Sequence, residues 1–105
     1  MIARIWRGKV KEDKVESFLK TVHEHDIPIL NSQLGCLQAL VGKEKSGESN
    51  FVILSIWKNL ESLKKFTGPN WKDSVPGPTE EKLVEGVPTV EHYLLTPFNE
   101  TESST

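Results

Sequence analysis

FVILSIWKNLESLKKFTGPNW, residues 51–71, holds two different periodicities that meet at one asparagine. From Phe51 to Trp57 the chain alternates. Val52, Leu54 and Ile56 form one purely aliphatic face, and Phe51, Ile53, Ser55 and Trp57 form a mixed one, as a pleated strand requires. Beyond Asn59 the period lengthens, and Leu60, Leu63 and Phe66 recur at helical spacing. Asn59 is a good N-cap, because its side-chain oxygen can accept from an N–H that the first helical turn leaves unpaired. Glu61 sits where the helix dipole favours an anion, Lys64 and Lys65 where it favours a cation, and Gly68 supplies the stop. The stretch therefore predicts a strand over 50–58 that turns a corner into a short amphipathic helix. The lysines of that helix read as a solvated face.

Outward from this corner the same logic assigns the rest. Residues 2–10 alternate, with Ile2, Arg4 and Trp6 on one face and Ala3 and Ile5 on the other. Residues 12–34 carry Val15, Phe18, Leu19 and Val22 in a helical stripe that Ile29 and Leu30 continue. Pro28 interrupts, with Asp26 as the expected cap of a restarted segment, so one bent helix or two short ones should end at Gly35. Residues 36–45 make a strand joined to the 50–58 strand by the hydrophilic turn EKSGESN, with Gly47 in it. Residues 69–88 hold Pro69, Pro76, Pro78 and Pro88 and are irregular; Asn70 and Thr79 could cap single turns at 71–75 and 80–85. Trp71, Val75, Leu83 and Val84 give this lid-like loop enough apolar weight to pack down. TVEHYLLT, residues 89–96, forms the last strand, and residues 97–105 are a polar tail.

The order is βαββαβ: an α+β, ferredoxin-like fold with a four-stranded antiparallel sheet and both helices on one face. One domain over 1–96 is all that 105 residues allow. If the helices cover one sheet face, the other needs a partner. The aliphatic sets (Ala3, Ile5; Val52, Leu54, Ile56) are assigned to the helices. The remaining sets (Ile2, Arg4, Trp6; Gln38, Leu40; Phe51, Ile53, Ser55, Trp57) are assigned to the open face. That face is too apolar for water, so two sheets are expected to meet as a homodimer and enclose a cavity into which Arg4, Gln38 and Ser55 point.

Composition excludes several classes. The formal net charge is −2 with mixed signs along the chain, so there is no basic stripe for a nucleic-acid backbone. No run approaches the length of a membrane span, and the opening MIARIWRGKV reads as a strand and not a signal peptide, so the expected location is the cytoplasm. Cys36 is the only cysteine and reads as a small buried hydrophobe. His23 and His25 are two apart on a helix and point to different sides, so no metal site is expected. No phosphate loop, nucleophile elbow or paired-carboxylate pattern is present.

MIARIWRGKV, SIWKNLESLKKFTGPNW and VEHYLL together resemble the antibiotic biosynthesis monooxygenase domain over about residues 1–96. The resemblance implies a dimeric α/β barrel and oxygenation of small aromatic, quinol-like substrates without metal, flavin or haem. Within this superfamily, haem degraders carry a histidine, a first-strand asparagine and a helix tryptophan. Here the histidine position falls near Pro76 and the tryptophan position at Phe66, and the first strand has no asparagine. Haem chemistry is therefore not expected. The resemblance implies, for the quinol-oxidising branch, tryptophan, tyrosine, asparagine and arginine around the pocket; Trp71 and Asn70 stand in the corresponding loop, and the tyrosine has no counterpart there.

The residues then receive candidate roles. Arg4 is the cation that would hold a phenolate; the alternative is a salt bridge to Glu91. His92, with an intrinsic pKa near the working pH, is the candidate base; the alternative is a structural histidine on a backbone carbonyl. Its alternation with Val90 and Leu94 could bring it near Arg4. Trp71, Trp6, Asn70, Gln38 and Phe66 are the candidate substrate contacts, and Trp57 reads as packing. The competing reading is a non-enzymatic module that binds a hydrophobic ligand or only dimerises.

Overall fold

The computed structural model describes residues 1–46, 49–73 and 82–96. Four strands, β1 (Ile2–Val10), β2 (Cys36–Lys43), β3 (Asn50–Trp57) and β4 (Val84–Leu94), form one antiparallel sheet in the order β2-β3-β1-β4. The helices α1 (Val15–Thr21), α2 (Ile27–Ser32) and α3 (Leu60–Thr67) all cover one face of it. This is the expected ferredoxin-like arrangement, with β1 and β3 central.

The corner at Asn59 forms as its sequence dictates. Asn59 Oδ1 accepts from the backbone N–H of Ser62 at 2.8 Å and from its hydroxyl at 2.9 Å. At the other end Gly68 takes φ 82° and its N–H donates to the Lys64 carbonyl at 2.7 Å. Leu63, fully buried, anchors α3 to Trp57, Ile2, Ala39 and Leu30. A second cluster gathers Trp6, Val10, Phe18, Val22 and Phe51 under α1, with Phe18 stacked on Trp6 and tilted against Phe51.

These clusters reverse the expected face assignment. Ile2, Arg4 and Trp6, with Phe51, Ile53, Ser55 and Trp57, lie on the helix-covered side; Ala3, Ile5, Val52, Leu54 and Ile56 lie on the open side. The reason is volume. Three large aromatic side chains need the depth that helices provide, whereas short aliphatic side chains leave a flatter surface. Gln38 and Leu40, paired with Ile56 and Leu54, are on the open side as expected, but their companions there are the aliphatic sets.

The helical connection also differs. Asp26 does not cap: its backbone is helical (φ −68°, ψ −48°) and its side chain makes no cap bond. Residues Val22–Asp26 form a single π turn, closed by the Ile27 N–H on the Val22 carbonyl. Pro28 has no N–H to offer, and the widened turn accommodates its ring without breaking the helical path. Helix α2 stops at Ser32, not at Gly35, which takes φ 90° in the following turn.

Strand β4 begins at Val84 and not at 89, and Lys82 and Leu83 before it are helical. It accommodates Pro88 and a positive-φ Gly86 because it is an edge strand, and its pairing with β1 shifts register between Arg7 and Lys9. Asn70 does not cap a helix; its carbonyl accepts from the Asp73 N–H in a turn. Gly47, Val75, Thr79 and the tail from 97 lie outside the described residues. No helix among the described residues is long and apolar enough to cross a membrane.

Candidate functional site

A cavity of about 340 Å³ opens between the sheet and the two helical ends that approach it. It lies inside one chain, on the helix side of the sheet, and not between two opposed sheets as the sequence had suggested. Its floor is the buried Trp6, Leu30 and Ser55 with the half-buried Ile53. Ile29 and Phe66 form apolar lips, at 38% and 37% exposure. The polar members are Arg4 from β1, Asp26 from the π turn, Thr67 at the end of α3, and Asn70 and Asp73 from the turn that follows. A mostly apolar hollow with a few convergent polar groups is the form of a small-molecule site.

Local structure explains each position. Alternation on β1 puts Arg4 and Trp6 on the same side. The π turn swings Asp26 and the start of α2 toward the sheet, and the tight stop at Gly68 folds Asn70 and Asp73 back over it. Phe66 is held by stacking on Trp57 (centroids 5.4 Å apart). Trp57 is buried and donates from Nε1 to Ser55 Oγ at 2.9 Å, which leaves the Ser55 hydroxyl proton directed elsewhere.

Arg4 and His92 are register partners on β1 and β4. Their side chains share the helix-covered face, as the alternation of β4 predicted. Glu91, the expected alternative partner for Arg4, is on the opposite face, where it pairs with Arg7 at 3.3 Å and accepts from the Tyr93 hydroxyl at 2.7 Å. His92 is not bonded to a backbone carbonyl through Nε2: that atom is buried and has no hydrogen-bond partner among the described residues. Burial, and secondarily the Arg4 charge, hold the His92 pKa below the ordinary histidine value, so the ring is neutral at neutral pH and able to accept a proton. Trp71 stands edge-on to it, with centroids 4.9 Å apart. The ammonium groups of Lys64 and Lys72 lie 5.7 and 5.4 Å from the Trp71 ring centroid.

The structure thus brings Arg4, Trp6, Phe66 and Asn70 around one hollow. It sets His92 beside Arg4, just outside the cavity wall, and Trp71 against His92. Gln38 is separated from all of them by the thickness of the sheet. Asp26 and Asp73 are wall residues that had been given no binding role, whereas Ser55, expected to point into a cavity, lines this one. Pro28 inside a helical pattern was the available signal for the turn that carries Asp26; Asp73 had none. Cys36 is half-buried, and burial pushes its thiol pKa up, as an inert cysteine requires. Among the described residues no group of three His, Cys, Asp or Glu side chains could hold a metal ion.

A larger groove, about 610 Å³, runs along the open sheet face past Arg7, Lys9, Asn50, Glu85 and Thr89. Its two β1 cations are engaged by Glu91 and Glu85, at 3.3 and 3.7 Å. Chemistry is better served by the smaller hollow, where aromatic walls surround Arg4.

The model of the family described as Antibiotic biosynthesis monooxygenase matches residues 1–72. The chain belongs to this family. The match runs from β1 through the turn holding Trp71 and ends before β4, so His92 lies beyond it. Solved structures share the antibiotic biosynthesis monooxygenase fold at low identity. A Caulobacter crescentus CB15 protein described as a candidate member is 20% identical, with a TM-score of 0.76 over 91% of this chain and 90% of its own. A Deinococcus radiodurans counterpart is 19% identical, with a TM-score of 0.72 over 94% and 96%. A conserved protein of Methanosarcina mazei Go1 is 20% identical, with a TM-score of 0.72 over 88% and 89%. No curated protein matches the sequence.

Proposed function

We propose that this protein is a cofactor-independent monooxygenase acting on a small aromatic, quinol-like compound in the cavity beneath α2 and α3. The observation that carries the reading is the cross-strand pair Arg4 and His92, a guanidinium in the wall of an apolar hollow beside a neutral imidazole. The substrate ring lies between Trp6 and Phe66 with its hydroxyl toward Arg4. Arg4 stabilises the hydroxyl's anion in surroundings of low polarity, where that charge interaction is strong, and His92, its cross-strand neighbour behind the cavity wall, is the candidate acceptor for the proton. The electron-rich anion reduces dioxygen. One oxygen atom becomes a new carbonyl at the ring carbon opposite the hydroxyl, and that carbon's single hydrogen and the hydroxyl proton leave with the other oxygen atom as water, giving the quinone. The substrate supplies both electrons that reduce the second oxygen atom.

The open sheet face supports a homodimer. Ile5, Leu40, Val52, Leu54 and Ile56 form a continuous apolar surface on the uncovered side of the four strands, with Leu40 at 49% exposure. A second copy laid across it buries that surface and completes an α/β barrel whose two cavities lie on its outer, helix-covered sides.

Oxygen uptake with a panel of quinols and hydroxylated polycyclic aromatics tests the reaction. One dioxygen should be consumed per substrate, without added metal or flavin. Arg4→Gln should lower kcat by about 100-fold, the loss typical of one oxyanion-stabilising group. Absence of uptake across the panel returns the protein to the class of non-enzymatic ligand-binding modules, and uptake that requires an added cofactor overturns the cofactor-independent mechanism.

A further inference from the structure

The ionisable groups in the described wall of the helix-side cavity are Arg4, Asp26 and Asp73. They come from three separate elements: the central strand, the π turn and the turn after α3. Arg4 and Asp26 are half-buried, and Asp73 is exposed at the rim. Two carboxylates and one guanidinium give the described residues of this wall a formal net charge of −1. We infer that Asp26 and Asp73 make the cavity selective for hydroxyaromatic compounds that carry a basic amine or no charge, and against those that carry a carboxylate. The inference rests on reading this hollow as the substrate site and does not depend on what happens to oxygen there.

The polar groups are segregated along the cavity. Ser55 lies at the floor beside Arg4's strand, with 3% exposure, so a hydroxyl is matched at the sheet end. Between floor and rim the walls are hydrocarbon and aromatic: Trp6, Ile53, Leu30 and Phe66. A flat ring filling that middle zone carries any far substituent toward the half-buried Asp26 and the exposed Asp73. A substituent ammonium gains two opposite charges there. A carboxylate meets two like charges and loses hydration in the process. The exposed His25 donates from Nδ1 to Asp26 Oδ1 at 3.1 Å, which holds that carboxylate in place. The substrate therefore enters protonated at its hydroxyl and becomes an anion only at Arg4.

The test is equilibrium binding, read by quenching of tryptophan fluorescence, with three probes that share one ring system: 2-naphthol, its aminomethyl derivative and its carboxylate derivative. In the wild-type protein the amine probe should bind about tenfold more tightly than the carboxylate probe, at about threefold per partly exposed aspartate. Asp26→Asn and Asp73→Asn should each reduce that ratio about threefold, and the double variant should remove it. The wild-type protein gives a second measurement that needs no variant: raising salt from about 20 to about 500 mM should shrink the ratio toward one. Equal or tighter binding of the carboxylate probe overturns the inference, as does a ratio that neither salt nor the double variant changes. Failure of all three probes to bind overturns it together with the substrate-site reading. Discrimination without oxygen uptake upholds it and strikes out only the oxidation.

Discussion

Trp71 meets His92 edge to face, with the two ring planes at 77° and their centroids 4.9 Å apart. The indole is half-buried and lies over the side of the imidazole that the sheet leaves uncovered. Since burial is the first cause of the lowered His92 pKa, Trp71→Ala should let that pKa rise toward the ordinary value. Titration of the imidazole signals by NMR reads this directly. An unchanged midpoint would assign the depression to the strands alone.

The same shift has a sign for stability. A histidine whose folded pKa is lowered binds fewer protons folded than unfolded, so stability is full above the unfolded value and falls as acid carries the pH down through the folded one. Urea midpoints should therefore decline as the pH falls below about 6.5, and His92→Gln should flatten that decline. Replacing Arg4 should move the loss to slightly higher pH, since its charge is the second cause of the lowering.

Core energetics should be concentrated beneath α3. Leu63→Ala removes a fully buried side chain from the cluster around Trp57 and should cost about 2–5 kcal/mol. Leu34→Ala, at 93% exposure, should change stability by less than about 0.5 kcal/mol. Denaturant unfolding of both variants separates burial from mere hydrophobicity.

Asn59 accepts two hydrogen bonds at the head of α3. Asn59→Ala should cost about 1 kcal/mol, and Asn59→Asp, which keeps the accepting oxygen beside the helix N-terminus, should cost less. Thermal unfolding followed by circular dichroism gives both values.

Leu54→Lys places a charge in the middle of the aliphatic open face without touching the cavity on the other side of the sheet. Light scattering should report a halved mass, while binding of the neutral naphthol probe to the cavity is retained. A wild-type protein that is already monomeric would remove the barrel.

Most of the fold was legible because its signals are local. The change of period at Asn59 and the alternation of β1 each fix an element within a few residues. The parity of the sheet was not legible in the same way. Both faces of β1 and β3 are apolar, so periodicity alone cannot say which one the helices take. The Trp57–Ser55 bond held the clue, since a buried indole needs an acceptor on its own face and Ser55 stands two residues away. The candidate site was half legible. Arg4 and His92 could be paired from strand alternation, but the cavity depends on where α2 and the 69–73 turn come to rest, which is tertiary information. Asp26 read as a cap because the compensation for Pro28 was assigned to a helix restart and not to a π turn.

Gly8 follows Trp6 on the same side of β1, and a Cβ built on it would press into the six-membered ring of that indole. The indole is also floor to the hollow beneath the helices. Position 8 therefore acts as a spacer: a methyl group there would displace the tryptophan and redraw the binding volume without replacing a single wall residue. Relatives can diverge in the ligands they accept through so small a change at a site no ligand touches.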